Sequence, residues 1–413
     1  MKQMKDKFPK IYVALPTMNE MENMEAFMKC FMSQDYQNID LYICVNQPDD
    51  WWGKEDKVCI CENNLQTLDY LHSFPGSNIH VLDRSSKGRG WGGKKFGVGQ
   101  ARKVLMDEIA KSADDNDIIV SIDADTYFQA GYFSSIAENF KDNPKAVALS
   151  VPYYHPLNEN PQANRQILHY EIYMRYYALN LWRINSPYSF TAVGSAMALP
   201  VWSYKAIGGI TPHKSGEDFY FLQKLRKYGT VLSWNREKVY PAARFSDRVF
   251  FGTGPAMIKG NQGDWGSYPI YPFRLFDKLG NFFKSFPKLF ELDFETPLDG
   301  FISEKFGQED IWQQFRQNSK TEKQFIKACH QKFDALRTLQ YLKWEHSKTP
   351  QKDEDSLLLY LNHFYPVEIS ELTFDISSFS FENSTIEELN KIRDLLVRIE
   401  EEVQIKNQPS TQP

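Results

Sequence analysis

Short apolar runs that do not alternate with polar residues punctuate the first third of the chain. KIYVALPT, IDLYICVNQ, NIHVLDR and DIIVSIDAD read as strands buried on both faces, since a strand with one wet face would alternate. Between them lie helical patterns. One is a Met-rich stretch over residues 20–33; another, KKFGVGQARKVLMDEIAKSA, carries Val98, Ala101, Val104, Leu105 and Ile109 at helical spacing. Strands linked by helices predict an α/β fold, with a mostly parallel, Rossmann-like central sheet flanked by helices. In such sheets ligands bind beyond the carboxyl ends of the strands. Three strand ends carry suitable polar groups: Thr17 to Glu20, Asn46 to Asp50, and Asp123 to Thr126.

AVALSVPYYH reads as a further strand, followed by a Tyr-rich helix over residues 162–182. SAMALP, a helix around SYKAIGG and the helix EDFYFLQKLRKYG continue the same domain, which the pattern closes at residue 268. WGSYPIYPFRLF marks the change of character. A helical C-terminal region then spans 269–406, and the tail NQPSTQP supplies a disordered end over 407–413. Ser384 and Glu387 have the spacing of a capping box. In the helix after them, Ile386, Leu389, Ile392, Leu396, Ile399 and Val403 form one apolar stripe, suited to core packing or to a homodimer contact. Cys59 and Cys61 in KVCICE lack a second pair and read as strand residues, not zinc ligands.

Composition narrows the functional classes. A chain of 413 residues accommodates two domains. A net charge of -5 argues against broad nucleic-acid binding, which shows as a basic surplus. Five cysteines, an odd number, suit a reducing compartment. The charged N-terminus has no signal-peptide core, and no run approaches the ~20 apolar residues of a membrane span. The expectation is a cytoplasmic protein, with peripheral contact to the inner membrane face left open.

The chemistry concentrates in three places. KGRGWGGKKFGVGQARK, residues 87–103, matches G-x-G-x-x-G at Gly88, Gly90 and Gly93 and much of G-x-x-x-x-G-K up to Lys94. Lys95 stands where a P-loop needs Ser or Thr, and the run follows a third strand rather than a first, so neither motif is complete. A basic loop whose backbone can approach a phosphate remains. Asp123 and Asp125 lie two apart at a strand end, where extended geometry points both carboxylates one way. Such a pair repels unless a cation lies between, and Mg²⁺ or Mn²⁺ is the natural occupant. Glu217 and Asp218 follow Gly216 in the first turn of a helix, where negative charge is favoured.

Taken together, YVALPTMNE, SIDADT and GSAMALPVWSYKAIGG followed by GEDFYFLQKLRKYG resemble the family-2 glycosyltransferases of the GT-A fold, over roughly residues 10–250. The resemblance implies an enzyme that moves a single sugar from a nucleotide-diphospho-sugar, UDP-linked by preference, to a hydroxyl acceptor. That acceptor could be a glycan, a lipid-linked sugar or a small molecule. It implies that Pro16, Thr17 and Glu20 hold the base and ribose, that Asp123 touches the ribose or sugar, and that Asp125, with Asp123, binds Mn²⁺ or Mg²⁺. Asp218 would be the general base, giving inversion, and Glu217 would assist the acceptor. Lys94, where the family commonly has Arg, would face the diphosphate.

Two departures qualify this. Asn46 stands where the family usually has an Asp against the base. No Q-x-x-R-W follows the Glu-Asp pair, which points away from processive polymer synthesis. Retaining enzymes of the fold place a metal-binding His after that pair, and this chain has Arg244 there; retention is the alternative mechanism. A non-catalytic nucleotide-sugar-binding module and a nucleotidyltransferase are the other classes. The latter would favour a glycine-rich loop after the first strand, and LPTMNE has none.

Overall fold

The computed structural model describes residues 8–74, 76–93, 96–213, 215–247, 252–307 and 311–408. They form two compact units. One comprises the described residues of 1–164, 190–262 and 404–413; the other comprises those of 165–189 and 263–403. The second unit therefore takes most of the Tyr-rich helix from the middle of the sequence, which a single boundary at 268 does not anticipate.

The first unit is built on a seven-stranded sheet. In chain order its strands are β1 (Ile11–Thr17), β2 (Ile39–Asn46), β3 (Ile79–Arg84), β4 (Ile118–Ser121), β6 (Ala148–Ser150), β7 (Met197–Pro200) and β8 (Val231–Leu232). The spatial order is β3-β2-β1-β4-β7-β6-β8. β1 to β4 pair in parallel, and β7 runs antiparallel between β4 and β6. The expected mostly parallel sheet is present. Every residue of β1 and β2 is buried, which is why neither alternates.

Helices α1 (Met21–Met32), α2 (Val58–His72), α3 (Val98–Ser112), α4 (Tyr132–Asp142), α6 (Val201–Ala206) and α7 (Glu217–Tyr228) belong to the same unit as the sheet, whereas all but the first turn of α5 (Pro161–Arg183) belongs to the second unit. The KVCICE segment opens α2, so Cys59 and Cys61 are helical rather than strand residues. Its β-branched start mimics a strand, but Cys61, Asn64, Leu68 and Leu71 recur at helical spacing and are the residues buried. Tertiary packing overrides local propensity here. A separate two-stranded antiparallel ribbon joins β5 (Thr126–Phe128) to β9 (Val239–Pro241), with Tyr127 opposite Tyr240.

The second unit is helical, as expected. Arg175 bonds Glu171 through Nε at 2.9 Å and also pairs with Glu400, a buried ion network between the long helix and the last helix, Ile386–Lys406. His169 stacks on Phe381 with ring centres 3.6 Å apart and meets the tilted Trp265 ring at 3.8 Å, so both His169 and Trp265 contribute to packing. Leu389, Ile392, Leu396 and Ile399 are buried within the chain, so the apolar stripe is core. The capping box sits one residue later than the sequence suggests: the Thr385 N–H donates to Glu388 at 2.7 Å, and the Glu388 N–H to the Thr385 hydroxyl at 3.2 Å. Among the described residues no helix is long and apolar enough to cross a membrane.

Candidate active site

Parallel pairing brings the carboxyl ends of β1, β2, β3 and β4 to one edge of the sheet. Antiparallel β7 begins at that same edge, opposite Ser121. The site grows from a residue the motifs pass over. Arg102 lies on α3, on the face that also carries the buried Ala101 and Leu105, and its side chain is only 3% exposed. A guanidinium does not deprotonate, so a buried one requires anions around it. It has them: one terminal nitrogen meets Asp123 at 2.5 Å, the other is paired with Glu217, and Nε donates to the Ser121 hydroxyl at 3.1 Å. The Ser121 hydroxyl in turn donates to the Gly194 carbonyl at 2.9 Å.

Two glycines make this approach possible. A Cβ on Gly194 would strike the Arg102 guanidinium, and one on Gly99 would meet the backbone oxygen of His213 well inside contact distance. Gly99 is one turn from Arg102 on α3, so the loop that leads into α7 rests against the helix and delivers Glu217 to the arginine. Gly216 precedes α7 with φ of 72°, a left-handed turn suited to glycine.

Glu217 is buried and committed to Arg102, while Asp218 beside it is half-buried, with its carboxylate also accepting from the Phe219 N–H at 2.8 Å. Burial raises the Asp218 carboxyl above its usual range, and Arg102 opposes the rise. Burial likewise pushes Glu217 up to about 7, against the pull of Arg102 and with Asp218 adding to the rise. One guanidinium cannot neutralise three carboxylates, so the cluster holds a proton longer than isolated acids would.

Asp125 is placed differently. The Thr126 N–H bonds the Asp123 carbonyl at 3.1 Å, so the chain turns here and the extended geometry expected for Asp-x-Asp is replaced. Asp123 faces Arg102, whereas Asp125 meets Arg244 at 2.6 Å. Arg244 also bonds Glu20 at 2.5 Å. Each carboxylate of the pair therefore has its own arginine. Among the described residues no group of three His, Cys, Asp or Glu side chains converges as a ligand set. A divalent ion needs open carboxylate lone pairs, and this arrangement does not fit one.

The strand tips expected to hold a nucleotide are also occupied in specific ways. Pro16 and Thr17 end β1 against Cys44 and Val45, and the buried Thr17 hydroxyl has no hydrogen-bond partner among the described residues. Asn46 donates to the Thr17 carbonyl at 2.9 Å and accepts from the Trp91 indole N–H at 3.0 Å. Its amide is thus used in pinning Trp91, over whose ring Arg84 lies at 5.5 Å. The Gly88 and Gly90 N–H groups converge on one anion, but it is the Asp49 carboxylate, at 2.7 and 3.2 Å. Gly90 is required there, because a Cβ would lie 2.7 Å from the Asp49 backbone. The first half of the glycine run therefore clamps the loop to the end of β2 instead of cradling a phosphate. Lys94 falls outside the described residues.

The structure places Asp123, Glu217 and Asp218, all singled out in the sequence, around Arg102, which the motifs pass over. The signal was available: an arginine on the apolar face of a helix, three residues after a glycine, is a buried counter-charge.

No model of a known protein family matches the sequence, and no curated protein matches it. Among solved structures, the chain is similar to residues 1–349 of S. aureus TarS in complex with UDP-GlcNAc. The identity is 14% and the TM-score 0.39, over 97% of this chain and 92% of that one. It is also similar to the mannosyltransferase PcManGT from Pyrobaculum calidifontis in complex with GDP-Man and Mn²⁺, at 13% identity and TM-score 0.36, over 98% and 89%. A third is glucosyl-3-phosphoglycerate synthase from Mycobacterium tuberculosis in complex with UDP, at 12% identity and TM-score 0.34, over 62% and 82%. Likeness at this level leaves the fold to rest on the strand order and the site on the contacts given above.

Proposed function

We propose that the chain is a glycosyltransferase of the GT-A type, moving one sugar from a nucleotide-diphospho-sugar to a hydroxyl acceptor with inversion. One observation supports this above the others: Arg102 draws Asp123, at the tip of β4, together with Glu217 at the start of α7, which sets the half-buried Asp218 next to the buried Glu217. A site beyond parallel strand ends suits a nucleotide. A half-buried carboxylate with a raised pKa next to it suits a general base.

In this reading the Asp218 carboxylate takes the proton of the acceptor hydroxyl as its oxygen bonds to the anomeric carbon. The bond from that carbon to the diphosphate breaks, and the nucleoside diphosphate leaves with the electron pair. Arg102 and Glu217 fix the start of α7 so that Asp218 keeps its position; they are positioning residues. Pro16, Thr17 and Trp91 border the nucleotide side, and Asp123 the sugar. The test is to incubate the full chain with a panel of UDP- and GDP-sugars and follow release of nucleoside diphosphate. The anomer formed is read by proton NMR. Release with an inverted anomer is expected; release from none of the sugars, with water or added glycans as acceptor, would contradict it.

A further inference from the structure

We propose that Arg244 is the resident cation of the Asp125–Glu20 carboxylate pair, standing where a divalent ion would have to sit. The pairing is built into the backbone rather than being a chance surface contact. β9 is zipped onto β5, and just beyond it the Ala242 N–H donates to the Asp125 carbonyl at 3.1 Å. The Asn158 amide holds the Ala243 carbonyl at 2.8 Å. The next side chain, Arg244, is thereby aimed at Asp125. Its side chain is 26% exposed, that of Asp125 17% and that of Glu20 7%. Charge-assisted bonds this far from water are among the stronger polar contacts.

A divalent ion on Asp125 would compete for a carboxylate whose Oδ2 already meets Arg244, and would lie against a guanidinium that cannot shed its charge. Ion and arginine therefore exclude each other. Arg244 also keeps a donor in reserve: its Nε–H is buried and has no partner among the described residues. That donor is available to an anionic oxygen arriving at the strand tips, where a diphosphate would be placed if the transferase reading is right. On that reading, nucleotide binding proceeds without a metal ion.

The experiment uses the full chain, with Arg244→Gln and, as a charge-preserving control, Arg244→Lys, each checked for native circular dichroism. Mn²⁺ binding is measured by electron paramagnetic resonance without nucleotide, and UDP and GDP binding by calorimetry in EDTA and in Mn²⁺. Losing the charge-assisted bonds is expected to tighten Mn²⁺ binding by about ten- to a hundredfold in Arg244→Gln. Arg244→Lys should stay close to wild type. Wild-type nucleotide affinity should be the same in both buffers, and Arg244→Gln should lose at least about tenfold in EDTA. Wild type binding Mn²⁺ as tightly as Arg244→Gln, or binding nucleotide only with Mn²⁺, overturns the proposal. Binding of neither nucleotide in either buffer overturns the transferase reading instead, and the Mn²⁺ comparison then decides the role of Arg244 by itself.

Discussion

Arg102 shows how much one buried charge organises. It pairs with both Asp123 and Glu217, and it also lowers the Asp218 carboxyl that burial raises. Replacing it with Gln leaves buried carboxylates without their partner, which costs about 3–5 kcal/mol of stability. A structural role alone would stop there. The account expects more: a base must be deprotonated to work, so activity falls as pH drops through its pKa. Because that pKa is raised, the acidic limb of kcat/KM lies above the ~4 of a free aspartate. Without Arg102, whose charge lowers that pKa, the limb moves further up, whereas Arg102→Lys holds it near wild type. A pH–rate profile with an unmoved limb in Arg102→Gln would remove Arg102 from the site. The residue scale is also where the sequence was least complete. Asp123 stood out by the Asp-x-Asp spacing and Asp218 by its place at a helix start and the family resemblance, but the cation beside them did not. A motif names the carboxylates, and only the packing of α3 shows which cation they share.

At the scale of elements, loops reach the site because glycine lets backbones touch. Gly88 and Gly90 fasten their loop to Asp49, and Gly99 seats the loop before α7. In the sequence these glycines look like one phosphate-binding motif, since a nest of N–H groups for a carboxylate and one for a phosphate need the same backbone. The distinction lies in Asp49, which is distant in sequence. Gly99→Ala tests the seating directly. Its methyl would collide with the His213 carbonyl, a backbone atom that cannot rotate away, so overpacking costs about 1–3 kcal/mol. It should also displace Glu217, lowering kcat more than it raises KM. Thermal melts and steady-state kinetics read the two effects separately; unaltered stability would mean α3 and the His213 loop are not in contact. β1, β2 and β4 were legible because burial on both faces leaves unbroken apolar runs, whereas β3, read the same way, is a half-buried edge strand, and the short β5, β8 and β9 gave no such run. α2 was not, since its Val-Cys-Ile-Cys opening imitates a strand until Leu68 and Leu71 complete the helical period.

Across the chain, the mostly parallel sheet and the helical C-terminal region follow from hydrophobic periodicity alone. The division into units does not. Residues 165–189 leave the middle of the sequence for the second unit, where Glu171 and Arg175 join Glu400 in a buried network. Charged residues in a helical pattern look solvated until their partners, more than 200 positions away, are known. The central claim concerns the first unit: its sheet edge and α7 form a site where Asp218 removes the acceptor proton. The most direct measurement compares wild type with Asp218→Asn, using turnover of the best nucleotide-sugar and calorimetric affinity for its nucleoside diphosphate. The account predicts a loss of about 10²–10⁴-fold in kcat with nucleotide affinity within a few-fold of wild type. An Asp218→Asn enzyme that turns over as fast as wild type would contradict it.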